Sequence, residues 1–126
     1  MKALQVIESA YRCTVEEQDD PIVWITHAMK GAGADLGVLL RGNAVNYAVA
    51  GQDASGLVFG GIAQQHPPQI DRDVKSLTEK GISVYVVKED AAERGIGEAD
   101  FIAGVEHVSR TKLAKLFGDY DQVWHW

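Results

Sequence analysis

The sequence predicts a single-domain α/β protein, a three-layer α/β/α sandwich built on a mainly parallel five-stranded sheet. Three observations lead there. Short apolar runs alternate with helical patterns along the whole chain, the order that a parallel sheet with covering helices requires. The runs at residues 36–40 and 82–87 are apolar almost throughout, as strands covered on both faces are. Glycines stand where the helical stretches should stop, because a left-handed residue ends a helix there without steric cost. A length of 126 residues suits one domain, 1–126, with a core of its own.

Residues 4–7 form the first predicted strand, and the polar segment 9–20 that follows carries Tyr11, Cys13 and the acidic run Glu16-Glu17-Gln18-Asp19-Asp20. Asp20 followed by Pro21 marks a helix start. The carboxylate can accept from free amides, and proline at the first helical position forfeits no hydrogen bond. Ile22, Val23, Ile25, Ala28 and Met29 recur at helical spacing, and Gly31 and Gly33 end the run. The second strand, 36–40, breaks at Gly42-Asn43, where Asn43 is the expected cap of a short helix through Val49. A long glycine-rich connection, residues 51–68, comes next. Connections of that length are functional or mobile loops in compact domains. Asp71 is the expected cap of the following helix, with Val74 and Leu77 inward and Gly81 as its stop. The third strand, 82–87, leads into a helix at 89–94 that ends at Gly95. A fourth strand at 105–108 precedes a helix capped by Ser109, and residues 121–126 make the last strand.

Composition excludes several classes of function. Hydrophobic residues make up 46% and charged residues 24%, and 12 basic against 18 acidic side chains leave a net charge of −6. No basic stripe is present to grip phosphates, so no nucleic acid binding is expected. No apolar run approaches the roughly 18 residues of a membrane span, and the apolar opening is too short for a signal peptide. A single cysteine, Cys13, excludes an internal disulfide and a multi-cysteine metal site. The expected setting is cytoplasmic, with no cofactor and no metal.

Several of these segments, in register, carry a resemblance. They are the opening strand, the Glu-Glu-Gln-Asp-Asp helix entry, Val-Leu-Leu-Arg-Gly-Asn-Ala-Val from Val38 to Val45, and the long loop. Val-Tyr-Val-Val-Lys-Glu-Asp-Ala-Ala-Glu-Arg-Gly-Ile from Val84 to Ile96 and the Trp-ended tail complete the set. Together they resemble the DsrE/DsrF/DsrH-like (Tus-type) sulfur relay family, closest in pattern to its DsrH (TusB) branch. The resemblance implies a DsrE-like fold, assembly as a homo- or hetero-oligomer (trimer or hexamer), and persulfide trafficking with sulfur-carrier protein partners. It also implies a reactive cysteine at the end of the third strand in the carrier members, where this chain has Val87. DsrH-type members carry a cysteine earlier, in the first helical region, and Cys13 is its loose counterpart.

Cys13 is therefore the one possible sulfur acceptor. Reactivity needs a thiolate, which Arg12 favours and the acidic residues 16–20 oppose. An inert, half-buried side chain is the competing reading. His27, His66, His107 and His125 show no metal-ligand spacing. His66, beside Pro67 in the long loop, is kept with Gly42 and Asn43 as a candidate pocket or interface loop. The glycines of the long loop match neither a dinucleotide fingerprint nor a Walker pattern. Glu89-Asp90 reads as a pair of first-turn carboxylates favoured by the helix dipole. Trp124 and Trp126 alternate with smaller neighbours and so share one side of a strand, as core or interface packing. Two functions compete: an oligomeric member of a sulfur relay using Cys13, and a non-catalytic assembly or small-molecule-binding member that has lost the carrier cysteine.

Overall fold

The computed structural model describes residues 1–12, 15–16 and 19–126. A five-stranded, all-parallel sheet runs through its centre. The strands are β1 (Lys2–Ile7), β2 (Asp35–Leu40), β5 (Ser83–Val87), β6 (Glu106–Val108) and β7 (Gln122–His125), in the spatial order β6-β5-β2-β1-β7. Between β2 and β5 a small antiparallel hairpin, β3 (Val58–Phe59) and β4 (Ile62–Ala63), stands apart from the main sheet. The helices are α1 (Pro21–Gly31), α2 (Ile70–Glu79), α3 (Lys88–Glu93) and α4 (Leu113–Gly118). The sheet and its helices are the architecture that the alternating sequence pattern predicts.

Crossover handedness decides which helix covers which face. From β1 through β2 and β5 to β6 the chain steps one strand in the same direction each time. Right-handed crossovers then place every connecting helix on the same face. That face holds the larger core, where Ile7, Val38, Leu40, Val84 and Val86 pack against Ile22 and Val23, Val74 and Leu77, and Ala91. The step from β6 back to β7 reverses direction, so α4 lies on the opposite face. There Leu113, Leu116 and Tyr120 cover Leu4, Val6, Leu39 and Val87. A six-residue helix has little stability of its own. Burying each of its two leucines contributes roughly 1.5–3 kcal/mol, enough to hold it in place. Gly37 in β2 makes room for this packing, since a Cβ there would lie 2.1 Å from the Tyr120 hydroxyl.

The start of α1 follows the sequence reading closely. Asp20 has no exposed surface, and its Oδ1 accepts from the amides of Ile22 (2.9 Å) and Val23 (3.0 Å). Its other oxygen accepts from the Tyr47 hydroxyl at 2.6 Å. That hydroxyl in turn accepts from the Arg12 amide at 3.2 Å.

Three local expectations need correction. Asn43 does not cap a helix. It lies inside a 3-10 helix, Gly42–Ala48, whose cap position is Arg41, and its side chain instead accepts from the Arg94 guanidinium. Asp71 is likewise inside the first turn of α2 rather than at its cap, Gln69. Its carboxylate accepts from the Gly51 amide at 2.9 Å, tying down the long loop instead. Finally, the connection at 51–68 contains the β3–β4 hairpin. Its turn residues Gly60 (φ 56°) and Gly61 (φ 83°) are both left-handed, which a tight hairpin turn of this type requires.

Replacing Asp20 with alanine removes the α1 cap and leaves the buried Tyr47 hydroxyl without its acceptor. The two losses together should cost about 2–4 kcal/mol, while Asp20→Asn, which keeps one acceptor oxygen, should cost less. Urea denaturation of the three proteins checks this. A loss below about 1 kcal/mol for the alanine variant would contradict the assigned role.

Candidate functional site

In open α/β sheets, ligands collect at the carboxyl ends of strands, where neighbouring strands send their helices to opposite faces. Here that point lies between β5 and β6, because β5 leads into α3 on one face and β6 into α4 on the other. The crevice is filled by the protein's own polar groups. Glu89 accepts from the Ser109 hydroxyl and from the Arg110 amide, both at 2.8 Å. The Arg110 guanidinium pairs with Asp90 and, at 3.2 Å, with Glu93. Asp90 also accepts from the Gly42 amide at 2.7 Å. Burial alone would raise the Asp90 carboxyl, but the Gly42 amide and Arg110 outweigh it and hold it below the usual range. Glu89 is lowered mainly by the Arg110 amide and the Ser109 hydroxyl.

Gly42 and Asn43, both predicted from sequence, sit together at this end of the sheet and are engaged with α3. Gly42 is left-handed (φ 56°), and a Cβ there would lie 3.2 Å from the Glu8 side chain. Asn43 Oδ1 accepts from Nε and a terminal nitrogen of Arg94, at 3.1 and 2.9 Å. Val87, where the resemblance puts a thiol in carrier members, has no exposed surface and belongs to the core beneath α4.

His66 lies elsewhere, on the long loop. Its amide and that of Gln65 both donate to the Glu16 carboxylate, the latter at 2.8 Å. The Gln64 side chain donates to the Val15 carbonyl. Residues 64–66 thus lie against residues 15–16. Cys13, the sulfur acceptor expected from sequence, lies outside the described residues.

Two hollows flank the start of the long loop. The larger, about 350 Å³, is lined by Gly51, Gln52, Asp53, Ser55, Pro68 and Arg72 among others. A smaller one of about 150 Å³ shares Gln52, Asp53 and Pro68 and adds Tyr11 and Ile70. Gln52 braces both. Its amide donates to the carbonyls of Asn46 (2.7 Å) and Val49 (2.9 Å), and its oxygen accepts from Tyr11 at 3.0 Å. The polar lining of the larger hollow, which includes Asp53 and Arg72, suits a small polar molecule.

A third hollow, about 220 Å³, lies between α1 and α2 and is lined by Asp19, Val23, Trp24, His27 and Asp73. His27 Nε2 is 2.9 Å from the Asp73 carbonyl, and its Nδ1 is 2.8 Å from Lys80 Nζ. Burial, followed by the charge and hydrogen bond of Asp19 and the charge of Asp71, pushes the Asp73 carboxyl up to about 6. No local pattern in the sequence announces this pairing, since Asp19 and Asp73 meet only through the packing of α1 on α2. Glu89, Asp90 and Ser109 were visible as helix-end residues. Their joint use of Arg110 depends on β5 and β6 being neighbours. Among the described residues, no group of three or more His, Cys, Asp or Glu side chains is placed to hold a metal ion, and no helix is long and apolar enough to cross a membrane.

The model of the DsrE/DsrF-like family matches residues 16–125. No curated protein matches the chain. Among solved structures, the ychN protein from E. coli is similar over 100% of both chains, at 20% identity and a TM-score of 0.71. A protein of unknown function, MTH1491 from Methanobacterium thermoautotrophicum, is similar over 99% of this chain and 98% of its own, at 13% identity and a TM-score of 0.61. At these identities the likeness concerns the fold.

The raised Asp73 carboxyl has a pH consequence. Its folded pKa lies above the unfolded value of about 3.9, so the native state holds the proton more tightly. Its contribution is fully present below about pH 4 and is lost as pH rises through about 6. Asp73→Asn, which mimics the protonated acid, should therefore raise the thermal midpoint at pH 7 and leave it unchanged near pH 3.5. A midpoint lowered at pH 7 would reverse the sign and contradict the assignment.

Proposed function

This chain belongs to the DsrE/DsrF-like family, and from that membership we propose that it is an oligomeric member of a cytoplasmic sulfur relay, with Cys13 as its sulfur acceptor. The observation that carries the reading is the family match over residues 16–125, in a chain whose one cysteine is Cys13. Chemically, the Cys13 thiolate would attack the outer sulfur of a donor persulfide. The donor's S–S bond breaks, a new one forms at Cys13, and the donor departs as a thiolate. The exchange balances without an outside oxidant or reductant.

A second reading is favoured by a specific observation. The end of β5 carries a fully buried valine, Val87, in place of the thiol of carrier members. This supports an assembly or small-molecule-binding member of the family that has lost the carrier chemistry. The larger hollow beside Gly51–Pro68 offers such a molecule a polar site. Gly42, Asn43 and His66 then serve as structural or interface residues.

Intact-mass spectrometry after incubation with a small-molecule persulfide donor separates the two. The relay reading predicts a gain of one sulfur atom's mass, reversed by a reducing thiol and absent in Cys13→Ser. An unmodified native protein, under conditions that load a known carrier, would exclude Cys13 as acceptor and leave the second reading.

A further inference from the structure

The β3–β4 hairpin presents an apolar face that is exposed among the described residues. Phe59 pairs with Ile62 across the two-glycine turn, and Leu57 lies two residues before Phe59, so the three share one side of the ribbon. They are 56%, 74% and 39% exposed, in that order. Val58, on the other side, is exposed as well. A two-stranded ribbon is marginal by itself in water. This one is anchored at its base, where the Gln64 amide donates to the Leu57 carbonyl at 2.9 Å, the Gln64 side chain donates to the Val15 carbonyl and the Gln65 amide donates to the Glu16 carboxylate.

At the sheet edge lies a second uncovered apolar surface. β7 borders the sheet, and its Trp124, in register with Gln5, shares a side with Trp126, whose indole donates to Gln5 Oε1 at 2.7 Å. With Ile25 and Met29 of α1, these two rings line an open groove of about 690 Å³. α1 flanks the groove but does not fill it. The hairpin of the same chain does not fill it either, since both surfaces stay exposed.

Charge and apolarity together point to a second copy as the occupant. The chain carries a net charge of −6, so copies repel as a whole and a contact between them is favoured where it brings no like charges together. Residues 57–65 contain no charged side chain, and the groove lining has no acidic, lysine or arginine residue. We propose that the β3–β4 hairpin of one copy docks in the Trp124–Trp126 groove of the next, joining identical chains head to tail. This rests on the oligomeric reading above and names its contact. Phe59 and Ile62 enter the groove and the indoles close over them, with the aromatic anchor in a pocket that dominates such interfaces. Because hairpin and groove are different surfaces, each copy both gives and receives. Repeated contacts of this kind close into a ring when the rotation between successive copies returns to the start, and run on as an open filament when it does not.

Sedimentation analysis at micromolar concentration tests the contact with two separate variants. Ile62→Glu spoils the hairpin and Met29→Glu the groove, with Ile25→Glu as a second groove variant should the first fail to fold. The native protein should sediment as several chains. Each variant should fall to single-chain mass while keeping the native circular dichroism spectrum. An equimolar mixture of the hairpin and groove variants should then form a two-chain species, since one retains its groove and the other its hairpin. A native oligomer whose mass survives both variants, or a mixture that stays single-chain, overturns the docking while leaving the relay reading intact. A monomeric native protein overturns both the docking and the oligomeric reading, while persulfide loading of Cys13 remains a separate question.

Discussion

One carboxylate without exposed surface, that of Asp20, joins the start of α1 to Tyr47 and, through the Tyr47 hydroxyl, to Arg12. It supplies the missing acceptor for the first amides of α1 and holds the hydroxyl of Tyr47, the largest of the fully buried side chains. Tyr47 belongs to the 3-10 helix that follows β2 and packs into the larger core. Its hydroxyl also receives the Arg12 amide, so the segment leaving β1 is tied to the same point. A buried polar group is tolerated only when it is hydrogen-bonded, and here that requirement fixes how α1, the β1 exit and the β2 exit meet.

The same end of the sheet shows what the fold has done with its usual binding crevice. Glu89, Asp90, Ser109 and Arg110 join the exits of β5 and β6 through hydrogen bonds and an ion pair. The amide of Gly42 and the side chain of Asn43 bring in the exit of β2. Beneath them Val87 packs with Leu4, Val6 and Leu39 under α4. The result is a closed crevice above a hydrophobic floor, and the open hollows lie elsewhere, beside the long loop, between α1 and α2, and beside the terminal tryptophans.

The elements legible in the sequence were those set by local chemistry. Asp20-Pro21 announced α1, the apolar runs announced β2 and β5, and glycines such as Gly81 and Gly95 marked helix ends that the structure reproduces as left-handed residues. Misreadings arose where a tertiary partner competed for a local signal. Asn43 and Asp71 look like caps, but Arg94 and the Gly51 amide take their side chains. The hairpin was readable, because Phe59-Gly60-Gly61-Ile62 is a two-glycine turn between apolar residues. The glycine richness around it suggested a loop instead. The site was less legible still. Pairings such as Asp19 with Asp73, or Glu89 with Ser109, exist only once the sheet order and helix packing are set.

Val87, at the end of β5, is part of the core beneath α4 and closed to solvent. Installing a thiol there, as Val87→Cys in a Cys13→Ser background, and following its alkylation in native buffer tests that burial directly. A thiol buried in apolar surroundings stays protonated and inaccessible. The account predicts alkylation at only the rate of global unfolding, accelerating sharply once denaturant is added. Alkylation at the rate of a free thiol in the folded protein would show that this position opens to solvent, and would contradict the account.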